Sequence, residues 1–157
     1  MVDADVVLST SAMSDNYAAD SGGGLYAANY YYTSMAMAVF LNDSWLDGNI
    51  ADDGGGGATL IGWGSDLDMI CSASTSGAGG VTGNESSDFY GGAVAIAELS
   101  GNVQLSSVLC SWGEVGTTDD NPPDDIYTDG TAYTYAFGDD ETFICDGDGC
   151  TPAEHVD

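Results

Sequence analysis

A short motif recurs along the chain at a nearly constant spacing, and it constrains the fold more than any other feature of the sequence. In each copy an asparagine precedes a Gly-Gly-apolar step by seven positions. The asparagines are Asn16, Asn49 and Asn84, which places consecutive copies 33 and 35 residues apart. The double glycines that follow them are Gly23 and Gly24, Gly56 and Gly57, and Gly91 and Gly92. A period of about 20–50 residues is typical of repeat architectures.

The match between the first two copies extends upstream of the asparagine. Residues 6–11 (VVLSTS) align with residues 39–44 (VFLNDS), and Met13 aligns with Leu46. Copies therefore start near residues 5, 38, 67 and 103. We expect the fourth copy, which begins at Val103, to lose its asparagine.

An acidic, proline-containing insertion interrupts that fourth copy. It covers residues 117–129, and we expect the repeat to resume at Gly130. The chain is then a single domain, with β-repeats over residues 1–136 and an acidic cap or tail over residues 137–157.

Each copy has the character of short strands joined by tight turns. Val6 and Leu8 occupy alternate positions, as a half-buried strand requires. Glycine at the double-glycine step permits positive φ and a close approach between stacked backbones. Asparagine tolerates the left-handed conformation at a corner and can form a ladder with the asparagine of the next copy.

One copy cannot bury its apolar face alone, but stacked copies can. The sequence therefore predicts an all-β fold, a right-handed parallel β-helix of four to five turns. The alternative is a Gly-rich β-sandwich in which the repeats are fortuitous.

The repeat resembles that of bacterial right-handed β-helix surface proteins, including polymorphic outer membrane proteins and autotransporter passengers. Those families carry a Gly-Gly-apolar element and a Phe-x-x-Asn element. Residues 13–16 (MSDN) and 46–49 (LDGN) match the second element with a different apolar residue, whereas residues 81–84 (VTGN) depart further. The resemblance covers about residues 5–140 and implies a fold rather than an activity.

The charge of the chain restricts its partners. It has 26 Asp and Glu residues, no Lys or Arg and a formal net charge of −26. Binding to nucleic acid or to anionic membrane surfaces needs cationic side chains, so we expect neither. The longest apolar stretch, residues 35–41, is too short to span a membrane. The carboxylates must be solvated, bound by backbone N–H groups or neutralised by cations.

Four cysteines are consistent with disulfides in an oxidising compartment, and three pairings are possible. The turn sequence Asp-Gly-Asp-Gly makes Cys145–Cys150 the most natural pair, which leaves Cys71 for Cys110. Buried free thiols are the alternative. Zinc is disfavoured because the spacing does not give paired CxxC knuckles. We therefore expect a secreted or cell-surface protein.

Calcium is the cofactor that the sequence favours, because hard cations take oxygen ligands from flexible turns. The candidate ligands fall in two clusters: Asp119, Asp120, Asp124 and Asp125 in the insertion, and Asp139, Asp140, Asp146 and Asp148 near the C-terminus. A solvated acidic surface is the alternative.

The expected function is structural and non-enzymatic: a self-associating subunit or segment of a cell-surface fibre, stalk or layer. The first alternative is an adhesin that binds a host or glycan partner, with a contact patch at Tyr30, Tyr31 and Tyr32. The second is a glycoside hydrolase, which needs converging carboxylates. Its candidates are Asp52, Asp53, Asp66, Asp68 and Asp88. The single histidine, His155, is expected to be a solvated tail residue.

Overall fold

The fold is built from short β-strands. The computed structural model describes residues 5–29, 36–75, 77–87, 91–99, 101–114, 116–123, 125–129, 133–135, 137–138 and 141–151. These residues form seventeen strands and no helix.

The chain passes through the same four strand positions three times. The first turn contains β1 (Val6–Ser9), β2 (Ala12–Ser14), β3 (Tyr17–Ala18) and β4 (Leu25–Asn29). The second contains β5 (Met37–Asn42), β6 (Trp45–Asp47), β7 (Ile50–Ala51) and β8 (Ala58–Gly62). The third contains β9 (Leu67–Ser72), β10 (Gly80–Thr82), β11 (Glu85–Ser86) and β12 (Val94–Glu98).

Equivalent strands of successive turns pair in parallel and form four sheets. Sheet A starts with β1-β5-β9, sheet B is β2-β6-β10, sheet C is β3-β7-β11, and sheet D starts with β4-β8-β12. The protein is therefore a β-solenoid of about three turns and not a sandwich. The prediction of four to five turns is not confirmed. Among the described strands, β13 (Val103–Cys110) and β14 (Ile126–Thr128) continue two of the parallel sheets, and a single parallel bridge from Gly80 to Ser111 continues sheet B.

The strand register reproduces the alignment of the first two copies. Val6 pairs with Val39, Met13 with Leu46 and Leu25 with Ala58. In the third copy the glycine alignment is wrong by one residue. Val94 pairs with Ala58, so Gly92 lies level with Gly56 and Ala93 with Gly57. The loop after Asn84 holds one residue more than the loop after Asn49.

Side chains alternate between the interior and the surface along the strands. In β9 the interior positions Leu67, Met69 and Cys71 are fully buried, while Asp68 and Ile70 between them are half-buried. This period-2 pattern fills the interior with one layer of apolar side chains per turn. Because each layer packs on the next, no turn is stable without its neighbours.

Antiparallel strands close the C-terminal end. β15 (Tyr133–Tyr135) pairs with β14, and β16 (Glu141–Asp146) pairs with β13 and with β17 (Gly149–Thr151). The aromatic rings of Trp112, Phe137 and Phe143, the last of them in β16, are all at least 97% buried. Phe143 stacks on Phe137 with ring centroids 3.7 Å apart. These rings cover the last layer of the core.

Both disulfides follow the pairing that the sequence favoured. Cys71–Cys110 lies in the core and joins β9 to β13, and Cys145–Cys150 joins β16 to β17. No cysteine is free. One bond thus fixes the third turn to the fourth pass of the chain, and the other fixes the terminal hairpin.

Most of the repeat positions require glycine because the backbone of the next turn lies very close, and not because φ is positive. A Cβ on Gly23 would lie 2.5 Å from the carbonyl oxygen of Gly56, and one on Gly57 would lie 2.7 Å from that of Ala93. Of the predicted corner glycines, only Gly91 has a positive φ, of 53°. The left-handed conformation predicted for the corner asparagines is also not found. The residues with positive φ are those directly before the asparagines, namely Asp15, Gly48 and Gly83.

Candidate functional site

An asparagine ladder runs along the interior of one corner. The Asn49 side-chain oxygen accepts hydrogen bonds from the backbone N–H (3.1 Å) and the side-chain amide (2.9 Å) of Asn16. Asn84 binds Asn49 in the same way, at 3.0 and 2.9 Å. Asn49 and Asn84 are fully buried, so each rung satisfies polar groups that have no access to water.

The ladder has a fourth member that sequence analysis missed. The Asn121 side-chain oxygen accepts from the backbone N–H and the side-chain amide of Asn84, both at 3.0 Å. The prediction that the fourth copy loses its asparagine is therefore wrong. The prediction that the repeat resumes at Gly130 is also wrong, because β14 already begins at Ile126. The signal was in the spacing: Asn121 follows Asn84 by 37 residues, which continues the series 33 and 35.

Asp125 ends the ladder instead of facing solvent. Its carboxylate accepts from the Asn121 side-chain amide at 2.7 Å and from the backbone N–H of Phe137, and the residue is 2% exposed. This predicted calcium ligand is therefore buried, whereas Asp119 is exposed and Asp120 is half-buried.

The first turn leaves the apolar core open at its end. Val6, Met13 and Leu25 are only partly buried, although they hold interior positions. Their partners one turn along, Val39, Leu46 and Ala58, are fully buried. The difference arises because no turn covers the first one within the described residues. We call the four strands β1 to β4, with this open layer, the first-turn edge.

Three exposed apolar side chains also lie on the first-turn edge. Val7 in β1 is 58% exposed, Tyr17 in β3 is 63% exposed and Tyr26 in β4 is 49% exposed. Within the described residues, each of the four strands has a neighbour on one side only. Unpaired backbone groups together with an uncovered apolar layer are the features through which another β-structure docks.

The outer face of sheet A carries a row of apolar residues, interrupted at Ser106, that starts at the same edge. The row follows one register position through Val7, Phe40, Ile70, Ser106 and Ile144. Val7 and Ile144 at its ends are 58% and 48% exposed. Exposed apolar side chains therefore lie both on the first turn and further along the side of the solenoid.

The other described calcium candidates form hydrogen bonds within their own loops. Asp120 accepts from the backbone N–H of Gly116 at 2.7 Å, and Asp119 accepts from the hydroxyl of Thr117. Asp146 accepts from the backbone N–H of Asp148 at 2.9 Å. Across the part of the chain that is described, no three His, Cys, Asp or Glu side chains are grouped as a metal site would need.

The carboxylates proposed for a hydrolase do not share a face. Asp52 accepts a 2.5 Å hydrogen bond from the hydroxyl of Tyr17, which raises the pKa of Tyr17 above its ordinary value of 10.0. Asp66 binds the side chain of Asn102 at 3.1 Å, at the start of sheet A. Partial burial, with the charge of Asp66 as the second cause, raises the pKa of Asp68 above 3.8. Asp53 follows β7, away from Asp66 and Asp68.

Several predicted site residues lie outside the described residues. They are the tyrosines of the contact patch, Tyr30, Tyr31 and Tyr32; the calcium candidates Asp124, Asp139 and Asp140; and Asp88 and His155.

Comparisons with known proteins give no relative. No protein family model, no curated protein and no solved structure matches the chain. The resemblance to bacterial β-helix surface proteins therefore stays a prediction. Among the described residues, no helix has the length and hydrophobicity that crossing a membrane requires.

Proposed function

We propose that this protein is a non-enzymatic structural element of an extracellular fibre, stalk or layer, and that it associates with a second copy through the first-turn edge. The observation that carries the proposal is the difference between the two ends. Val6, Met13 and Leu25 form an open apolar layer at one end, whereas Trp112, Phe137 and Phe143 are covered at the other.

Burial of the open layer provides the driving force. Apolar area removed from water contributes about 25 cal/mol per Å² before the costs of association are subtracted. A second copy that docks there also supplies backbone partners for strands β1 to β4. If both copies use this edge, the assembly is a closed pair. If the first-turn edge meets the C-terminal strands of the next copy, the assembly grows head-to-tail into a filament.

The negative charge of the chain opposes this association, so the association depends on ionic strength. Two copies with a net charge of −26 each repel one another at low ionic strength. Salt reduces this repulsion, since the Debye length falls from about 10 Å at 0.1 M to about 3 Å at 1 M. Calcium bound to exposed carboxylates would act in the same direction, and we propose it as the physiological counter-ion.

An extracellular location is supported by the disulfides. All four cysteines are bonded, and all four are buried. Disulfides persist in oxidising compartments and are rare in the cytosol of most organisms.

We also propose that the solenoid is right-handed. A crossover between parallel strands of one sheet is right-handed in about 98% of cases, because right-twisted strands favour that connection. Every turn here is such a crossover between parallel strands of sheet A. An experimental structure with the opposite winding would refute this proposal.

Electron microscopy of the purified chain tests the structural role. We expect single short rods in low salt, and paired rods or filaments in 1 M NaCl or in calcium. Met13→Lys places a charge on the open layer and should leave single rods in every condition. Val108→Lys, at a 43% exposed valine of β13, adds the same charge away from the edge and should assemble like the wild type. Single rods of the wild type in all conditions would end the proposal.

A further inference from the structure

A second copy has two ends that can meet the first-turn edge: its C-terminal end and its own first-turn edge. The first turn presents one strand in each of the four sheets, and within the described residues each of these strands is paired on one side only. A surface that covers the edge well must offer strands and open apolar side chains that match it. The two ends differ in strands, in apolar side chains and in charge.

The C-terminal end does not repeat this arrangement of strands. Sheets A and D end there in β17 and β15, which join them through antiparallel pairs. Within the described residues, sheets B and C have no strand beyond the third turn. Gly80 of β10 forms a single bridge to Ser111. The N–H of Ser86 in β11 donates to the carbonyl oxygen of Pro122 at 3.1 Å. At this end, β2 and β3 of another copy would therefore meet irregular chain.

A first-turn edge offers the missing strands to another first-turn edge. A two-fold axis perpendicular to the solenoid places two of these edges face to face and reverses the direction in which the second copy winds. Each strand then runs antiparallel to the strand that it meets, and antiparallel pairs are slightly more stable per residue than parallel ones. The interface is isologous, so both copies contribute the same four strands to it.

The open apolar side chains favour the same arrangement. Val6, Met13 and Leu25 are only partly buried in a single copy. At the C-terminal end the core is already covered, since Trp112 is fully buried and Phe143 is 2% exposed. Two facing first turns bury both sets of open side chains, whereas a head-to-tail contact buries one set. The hydrophobic gain, which is proportional to the apolar area removed from water, is therefore larger when two first turns meet.

The distribution of charge along the chain also favours contact between two first turns. Four acidic residues lie in residues 1–36, before β5, whereas 13 lie in residues 112–157, after β13. The product of the facing charges is about three times smaller when two first turns meet than when a first turn meets the C-terminal segment. No Lys or Arg is present to offset either charge, so the contact between the two less acidic ends is the less repulsive one.

We propose that two copies associate head to head, first-turn edge against first-turn edge, as a closed pair with two-fold symmetry. This inference rests on the proposed function, because it requires a second copy to dock on the first-turn edge. It adds the surface of the partner and the size of the assembly. The pair is complete at two copies, with a C-terminal cap at each outer end. A larger stalk or layer is then built from such pairs through contacts outside the first-turn edge.

Light scattering and thiol cross-linking of the full chain test the proposal. All four native cysteines are bonded, so a short bismaleimide reacts only with an added cysteine. Val7→Cys and Tyr26→Cys add thiols at exposed positions of β1 and β4. Thr151→Cys adds one at an exposed position of β17, the last strand of sheet A. In 1 M NaCl, we expect the mass of the wild type to level off at twice that of one chain as the concentration rises. Cross-links should join first-turn cysteines to one another, and none should join Val7→Cys to Thr151→Cys.

Val108→Cys is the matched control, because Val108 is 43% exposed in β13, away from the first-turn edge, and should give no cross-linked pair. A mass that grows beyond two chains, or a cross-link between Val7→Cys and Thr151→Cys, overturns the head-to-head pair and leaves the structural role standing. A single chain in low salt, in 1 M NaCl and in calcium overturns both. A pair that forms without any cross-link between first-turn cysteines also overturns both.

Discussion

The buried side-chain amides of the asparagine ladder hold the turns of this protein in register. Each asparagine of the ladder binds backbone and side-chain groups of the next turn. Three of these residues could be predicted from the sequence, because a constant spacing before a double glycine marks them. Asn121 was missed although its spacing continues the series, and the buried role of Asp125 could not be predicted, because both lie in an insertion whose acidic composition indicated a solvated loop.

Removing one ladder residue should cost a large part of the stability. In Asn84→Ala, the backbone N–H of Asn49 and the carbonyl oxygens of Leu46 and Thr82 lose buried partners. We expect the free energy of unfolding in urea to fall by about 3 kcal/mol. Asn102→Ala removes an exposed asparagine bonded to Asp66 and should cost less than about 1 kcal/mol. Equal losses in the two variants would contradict a structural ladder.

The raised pKa of Asp68 gives a pH-dependent prediction. The folded state holds the Asp68 proton more tightly than the unfolded chain, so this stabilisation is complete below pH 3.8 and is lost as the pH rises through the folded pKa. Asp68→Asn cannot ionise and should melt about 2 °C above the wild type at pH 7, with no difference near pH 3. Glu114→Gln removes an exposed charge elsewhere and measures the part of the effect that comes from the net charge alone. A constant difference for Asp68→Asn across pH would refute the assignment.

At the scale of strands and corners, turn length sets the strand register, and the distance between stacked backbones limits which side chains fit. The alignment of the first two copies equals their strand register because identical turn lengths leave no other pairing. The third copy could not be aligned correctly, since a one-residue change in the loop after Asn84 is hidden by consecutive glycines. The antiparallel cap was predicted only as an end segment, because its partners are distant in sequence.

The double-glycine step should be intolerant of any side chain. A Cβ on Gly56 would lie 2.6 Å from both the backbone nitrogen of Glu85 and the carbonyl oxygen of Gly92. We expect Gly56→Ala to lose about 4 kcal/mol or more of unfolding free energy, or to fail to fold. Gly77→Ala is the control, because Gly77 has a φ of 71° and no atom within 4 Å of its Cβ position. It should lose only about 1–2 kcal/mol. Similar losses in the two variants would show that backbone conformation, and not close contact, makes the double-glycine step intolerant of a side chain.

The two disulfides should contribute unequally. Cys71 and Cys110 are 39 residues apart, whereas Cys145 and Cys150 are 5 apart. Loop-closure entropy then assigns about 4 kcal/mol to the first bond and about 2 kcal/mol to the second. Replacing each pair by alanine and measuring unfolding in urea checks this order. A larger loss from the terminal pair would indicate that the cap, and not the link between β9 and β13, limits stability.

At the scale of the whole molecule, charge works against compactness. The chain folds with 26 acidic residues and no Lys or Arg to form ion pairs with them. We expect the melting temperature to rise by at least about 5 °C between 0.05 and 1 M NaCl. Calcium should raise it further than NaCl or magnesium at the same ionic strength if the acidic loops bind it specifically. Identical melting temperatures in calcium and in chelator would exclude a stabilising calcium site.

The central claim is that a second copy docks on the first-turn edge, and hydrogen exchange as a function of protein concentration tests it most directly. In 1 M NaCl, we predict that the amides of β1 to β4 become more protected as the concentration rises, while β6, β7 and β10 stay unchanged. Loss of this protection in Met13→Lys would assign it to the open core layer. Protection that never depends on concentration, or that appears only on strands away from the first turn, would contradict the account.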